Sequence, residues 1–178
     1  SLRAALAITE HLGIERPEWT TKGQRLVEVI KNNPEAFAPK HRWAMDWYYP
    51  VLTGVLQDSE GLKRLSEQTT EFEIPQKGIR CVSDRPWITT AETCECAVAY
   101  LAVGERDHGI ELFTRIQDYR DENGRYLTGV VYPENVAFPE DEYSTYSAAA
   151  VILTADALLG LTDAKEIFAN HSFLPALI

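Results

Sequence analysis

Carboxylates that could do chemistry stand at Asp46, Asp84, Glu92 and the pair Asp141–Glu142. Two acids that face each other across a cavity can divide the work. One is held protonated as a general acid, and the other stays ionised as a base. Asp46, Glu92 and Asp84 are the catalytic candidates. An acid in the first turn of a helix also has a plainer use, because the helix dipole favours negative charge there. The aromatics Trp43, Trp47, Tyr48, Tyr49, Trp87, Tyr132 and Tyr146 could wall a substrate cavity or stack on sugar rings. They could equally seal the junctions between helices as core, as could Tyr126 and Tyr143. Arg80 and Arg85 flank the central acids. They could clamp a diphosphate or another anion, or pair with Asp84 or Glu92.

The metal and redox signals are weak. Cys94 and Cys96 sit two apart on an apolar helix, which turns their thiols about 200° from each other. They cannot chelate one ion from a regular helix, and buried, inert cysteine is the expectation. His41, His108 and His171 show no ligand spacing and read as surface or turn residues. We therefore expect no metal and no cofactor.

The formal net charge of the 178 residues is −10. A nucleic-acid partner would demand a basic face instead. No apolar run approaches the roughly 18 residues of a spanning helix. Three cysteines are too few, and odd in number, for a disulfide framework, which makes the cytoplasm the default location. The length fits one domain. Residues 2–12 already read as a helix in progress, so we expect a truncated start that lacks further helical hairpins. A small-molecule substrate is the expected partner, with oligomeric state open.

Helices must position these residues. Leu2, Ala5, Leu6, Ile8 and Leu12 form a stripe that stops at Gly13. Pro17 reads as a turn, with Thr20 or Thr21 opening the next helix. The segment from Trp43 to Leu56 packs four aromatics and Asp46 into its first seven residues. Pro50 is expected in the first turn of its helix, which would then run to about Gln57. The central stretch is Arg80 to Gly104. Its charges and Trp87 come first, and the apolar run Cys94 to Val103 carries only Glu95. A helix apolar nearly all round must be buried on most sides. An amphipathic helix follows near 105–119. The connection from Tyr126 to Tyr143 could pair as a short hairpin, and a loop of that length is more often functional than idle. Ser144 or Thr145 then caps another apolar helix that ends at Gly160.

Apolar helices thus recur near residues 2–12, 48–57, 90–103 and 146–159, each followed by an amphipathic one. This pattern predicts an all-α fold. The hairpins would form an (α/α)6-type toroid or an incomplete part of one with about four hairpins, with the acidic and aromatic clusters gathered on one rim.

Two segments resemble a known family. Asp84 to Gly104, DRPWITTAETCECAVAYLAVG, resembles the inner-helix segment of protein prenyltransferase β-subunits, and Asp46-Trp47-Tyr48-Tyr49 resembles an earlier segment of that family. Gly109, Phe113, Gln117, Gly124 and Tyr126 resemble a degraded QW repeat of terpene cyclases. The resemblance implies the superfamily of prenyltransferases, terpene cyclases and squalene-oxidase-type repeats, with small bacterial prenyltransferase-like proteins nearest. It strengthens Asp46 and Glu92 as site residues. The zinc ligands of that family are an Asp, a Cys and a His. Asp46 matches the first, but Tyr48 and Glu92 stand in the other two places and are poor replacements, so the resemblance implies no catalytic zinc. The leading expectation is a prenyltransferase- or cyclase-like protein that binds an apolar or ring-shaped molecule. Its alternatives are a carbohydrate-active hydrolase or lyase with paired carboxylates and a non-catalytic binding scaffold.

Overall fold

Apolar residues three and four apart set the helices, and short β-rich runs between them set the strands. The computed structural model describes residues 2–169, 171 and 175–177. In chain order the elements are α1 (Leu2–His11), α2 (Pro17–Asn32), α3 (Ala44–Leu52), α4 (Asp58–Phe72), β1 (Glu73–Ile74), β2 (Gly78–Ile79) and β3 (Trp87–Thr89). They continue with α5 (Thr90–Ala102), α6 (Arg106–Arg115), β4 (Gly129–Val131), β5 (Val136–Phe138), α7 (Thr145–Leu159) and α8 (Lys165–Phe168).

 The paired strands carry the main correction to the sequence reading. The described chain is 58% helical with 10% in strands, in two small antiparallel sheets, so the fold is mixed α/β and not an all-α toroid. In the first sheet β1 pairs with β2. In the second the order is β3-β4-β5. The hairpin allowed for residues 126–143 is β4–β5, in register Val131↔Val136. The strand β3 joins its open edge, with Trp87 opposite Val131 and Thr89 opposite Gly129. That pairing brings together segments 40 residues apart, which no local periodicity reports.

Helix α5 is the centre. Nine of its 13 residues are buried, and it packs against α3, α6 and α7. One core cluster joins Trp47, Tyr48, Leu65, Phe72, Cys96 and Leu112. A second lies beneath the larger sheet and joins Ile88, Cys94, Ile116, Val130 and Val151. Burying side chains of this size contributes about 1.5–3 kcal/mol each. Helix α7 starts at Ser144, whose hydroxyl accepts a 3.1 Å bond from the Ser147 N–H. It ends at Gly160, where φ of +67° suits a residue without a Cβ.

Two prolines fall elsewhere than expected. Pro17 is the first residue of α2, where a missing N–H is harmless. Pro50 lies inside α3, near its C-terminal end. A proline there leaves the carbonyl four residues earlier, that of Asp46, without its helical donor. The Arg64 guanidinium of α4 supplies the bond at 2.9 Å and a second to the Trp47 carbonyl at 3.1 Å. The histidines also differ from a surface reading. His108 is half-buried against Glu73, and His171 is buried with Nδ1 3.0 Å from the Ile167 carbonyl.

Candidate active site

The first two turns of α5 present Glu92 and Glu95 on one side of the helix, three residues apart. Tyr48, from α3, donates its phenol to Glu95 Oε2 at 2.6 Å. Tyr146, from the first turn of α7, donates to Glu95 Oε1 at 2.8 Å. Tyr49 packs edge-on against Tyr48, with ring centroids 5.3 Å apart. Three helices therefore meet at one carboxylate. The local sequence explains the convergence. Ala44, Trp47, Tyr48 and Val51 form the buried stripe of α3, which turns Tyr48 inward against α5. Ser144 fixes where α7 starts and so where Tyr146 projects.

The electrostatics are unusual for paired acids. Among the described residues, no hydrogen bond or ion pair joins Glu92 or Glu95 to a lysine, arginine or histidine. Burial pushes the Glu92 carboxyl above the usual carboxylate range, and the charge of Glu95 adds to the shift. The Thr89 hydroxyl and the Glu92 backbone N–H pull the other way without cancelling it. The Thr89 contact is a lean and not a formed bond, because its Oγ1 is buried without a hydrogen-bond partner. Burial, together with the acids nearby, holds the phenols of Tyr48, Tyr49 and Tyr146 protonated far up the pH scale. The cluster can thus hold one proton on a carboxyl and offer several O–H donors. That is the equipment of general acid chemistry.

The structure gathers some expected site residues and disperses others. Glu92, Tyr48, Tyr49 and Tyr146 come together. Asp46 lies on the exposed face of α3, three residues before Tyr49, and no hydrogen bond or ion pair holds its carboxylate among the described residues. Asp84 is exposed and paired with Arg42, Nε to Oδ1 at 3.0 Å, so its partner is neither Arg80 nor Arg85. Trp43 is half exposed beneath the Arg42 guanidinium. Trp47 is fully buried, stacked on Phe72 at 5.5 Å, with its indole N–H bonded to the Arg64 and Leu65 carbonyls. It belongs to the core. Arg80 donates to the Glu71 and Ser83 carbonyls. Arg85 lies over Trp87, 5.9 Å from the ring centroid, and Trp87 stacks on Phe138 at 4.4 Å. Tyr132 is part-exposed on the turn after β4. Sequence reasoning missed Glu95. Its signal was present, as the one charge in an apolar run and three residues from Glu92.

Cys94 and Cys96 are buried and free. Burial pushes the Cys94 thiol up to about 12. Among the described residues, no three His, Cys, Asp or Glu side chains gather as a metal site. No helix among them is long and apolar enough to cross a membrane.

No protein-family model matches the chain. A curated relative does. The chain is 44% identical over 168 residues to a protein of Mycolicibacterium hassiacum named MMP endo-(1,4)-3-O-methyl-alpha-D-mannosidase. The match covers 94% of this chain and 46% of the relative, so the chain spans about half the length of the protein it resembles. A glycoside hydrolase name over nearly the whole chain overturns the resemblance to prenyltransferases and terpene cyclases. The geometry explains how the short motifs misled. Tyr48, in the place of a zinc-binding thiol, is buried and spends its hydroxyl on Glu95. The Cys-Glu-Cys motif is core on both cysteines and places its glutamate in the tyrosine cluster.

Proposed function

We propose that the chain is the catalytic portion, or part of it, of a glycoside hydrolase that cleaves α-(1→4) linkages in 3-O-methylated mannose oligosaccharides. The observation that carries this reading is the 44% identity, over 94% of the chain, to a protein of that name. The acid–tyrosine cluster supports it. Glu92, desolvated and free of cations, is the proton donor. Its proton passes to the glycosidic oxygen as the bond from that oxygen to the anomeric carbon breaks. Water adds at the anomeric carbon and gives up its own proton to a second carboxylate.

Glu95 is badly placed for that second role. Residues three apart on a helix have Cβ atoms about 5–6 Å apart on one face, whereas the two carboxyl groups must flank the sugar. We assign the base to Asp46, which belongs to another helix and is unpaired among the described residues. Glu95 then positions Tyr48 and Tyr146 and raises the proton affinity of Glu92.

The test is release of reducing ends from an α-(1→4)-linked 3-O-methylmannose oligosaccharide. Glu92→Gln should lower kcat by about 10²–10⁴ with little change in KM, the usual worth of a general acid. Asp46→Asn should behave alike. A Glu92→Gln protein within tenfold of the parent would remove Glu92 from the role.

A further inference from the structure

Helix α7 inverts the pattern of a surface helix. Its one charged side chain, Asp156, is turned inward and only 8% exposed. The carboxylate is spent on Thr162, accepting from the backbone N–H at 2.7 Å and from the hydroxyl at 2.9 Å. The Thr154 hydroxyl is buried too, and donates to the Ala150 and Cys94 carbonyls. The large apolar side chains go the other way. Ile152 is 68% exposed, Leu153 46% and Leu159 68%, and Leu161 just past the helix is 70% exposed. No exposed residue from Thr145 to Leu159 carries a charge. By contrast α2 turns Lys22, Gln24, Arg25 and Glu28 to water. A helix apolar all round is one that is covered on most sides. The inner side of α7 packs against α5 and α6, and its other side is open. An open apolar face of this kind marks an interaction surface.

The chemistry of the face selects its occupant. A lipid surface favours lysine and arginine around the apolar stripe, but α7 is preceded by Asp141 and Glu142 and followed by Asp163. Two copies of the chain would each bring a net charge of −10 to the contact, and like charges repel. A further segment of polypeptide meets neither objection. The curated relative holds more than half of its length outside the match, which covers 46% of it.

We propose that the open face of α7 seats an apolar helix supplied by the part of such a longer protein that lies outside the match. Ala148 and Ala149 let a second helix backbone come close, while Ile152 and Leu153 fill the grooves beside it. The face runs up to Tyr146, which is 48% exposed and bonded to Glu95. The arriving helix therefore borders the acid–tyrosine cluster. The inference rests on the relationship to the longer protein and not on the role given to Glu92.

The probe is the part of the Mycolicibacterium hassiacum protein outside the match, produced in the same cells as the tagged 178-residue chain, so that neither has to fold alone. Purification on the tag should recover the two in equal amounts. Ile152→Glu combined with Leu153→Glu should cut that recovery by about tenfold or more. The same pair of substitutions should leave the Tm of the 178-residue chain by itself within a degree or so, because both side chains are exposed there. Backbone hydrogen exchange should slow in α7 when the complex forms. Failure to recover the two together overturns the proposal, as does a complex that survives the double substitution or leaves α7 unprotected. Sedimentation of the lone chain as a dimer that the double substitution breaks would give the face to a second copy. Flotation with neutral phosphatidylcholine vesicles would give it to a membrane. Either result overturns the proposal as well.

Discussion

Two acid clusters lie against α5 and its neighbours, and they are built oppositely. At one, Glu73 accepts from Arg115 at 2.7 Å and meets His108 Nε2 at 3.0 Å, while Arg115 also pairs with Glu111. At the other, Glu95 accepts from two phenols, and Glu92 has only a hydroxyl and its own amide nearby. Burial alone would raise the Glu73 carboxyl, but His108 and Arg115 outweigh it and hold it below its ordinary value. Glu92, without a cation, goes up. A structural acid is neutralised by the fold. An acid without a cation, as Glu92 is among the described residues, can keep a proton, which is what the proposed role asks of it.

The comparison is sharpened first at Glu73. Removing one partner of a buried ion pair strands the other, so Glu73→Ala should destabilise the protein by about 3 kcal/mol in urea unfolding. The folded fraction should keep its activity. Tyr48→Phe comes next. It removes a buried bond to a carboxylate and should cost roughly 2 kcal/mol, with Tyr146→Phe, more exposed, nearer to about 1 kcal/mol. If neither cost anything, the phenols would not be holding Glu95.

The pH dependence also separates the clusters. His108 gains proton affinity on folding, chiefly from Glu73. Its contribution is complete below its unfolded value of 6.5 and fades as pH rises through the higher folded one. Glu73 contributes fully above 4.5 and fades as pH falls through its lower folded value. The Tm gap between the parent and Glu73→Gln should therefore be widest between pH 4.5 and 6.5. The smallest effect has the opposite sign. Ionising a buried, raised Glu92 costs stability, so Glu92→Gln should gain roughly 1–3 °C in Tm at neutral pH while losing activity.

The helices were legible because their apolar residues repeat over three or more turns. The strand β3 was not. Three residues cannot show a period, and Trp87-Ile88-Thr89 reads equally as the approach to a helix cap. Its partner lies 40 residues on, and only the fold brings them together. In the site, Glu92 was legible as an acid opening an apolar helix. Glu95 was passed over because one charge in a buried run looks like noise until Tyr48 and Tyr146 arrive from two other helices. The family resemblance failed for a related reason. Cysteine and alanine at such spacings are what any buried helix contains, so a likeness across the α5 segment reports burial before ancestry.

Arg64 lies on α4, outside the acid–tyrosine cluster, yet its guanidinium closes the gap that Pro50 opens in α3. The helix so mended is the one that carries Tyr48 and Tyr49. The aim of both rings is therefore set from behind, by a side chain of another helix. A conservative swap to lysine, which cannot fork across two carbonyls, would loosen that grip and blur the site from a distance.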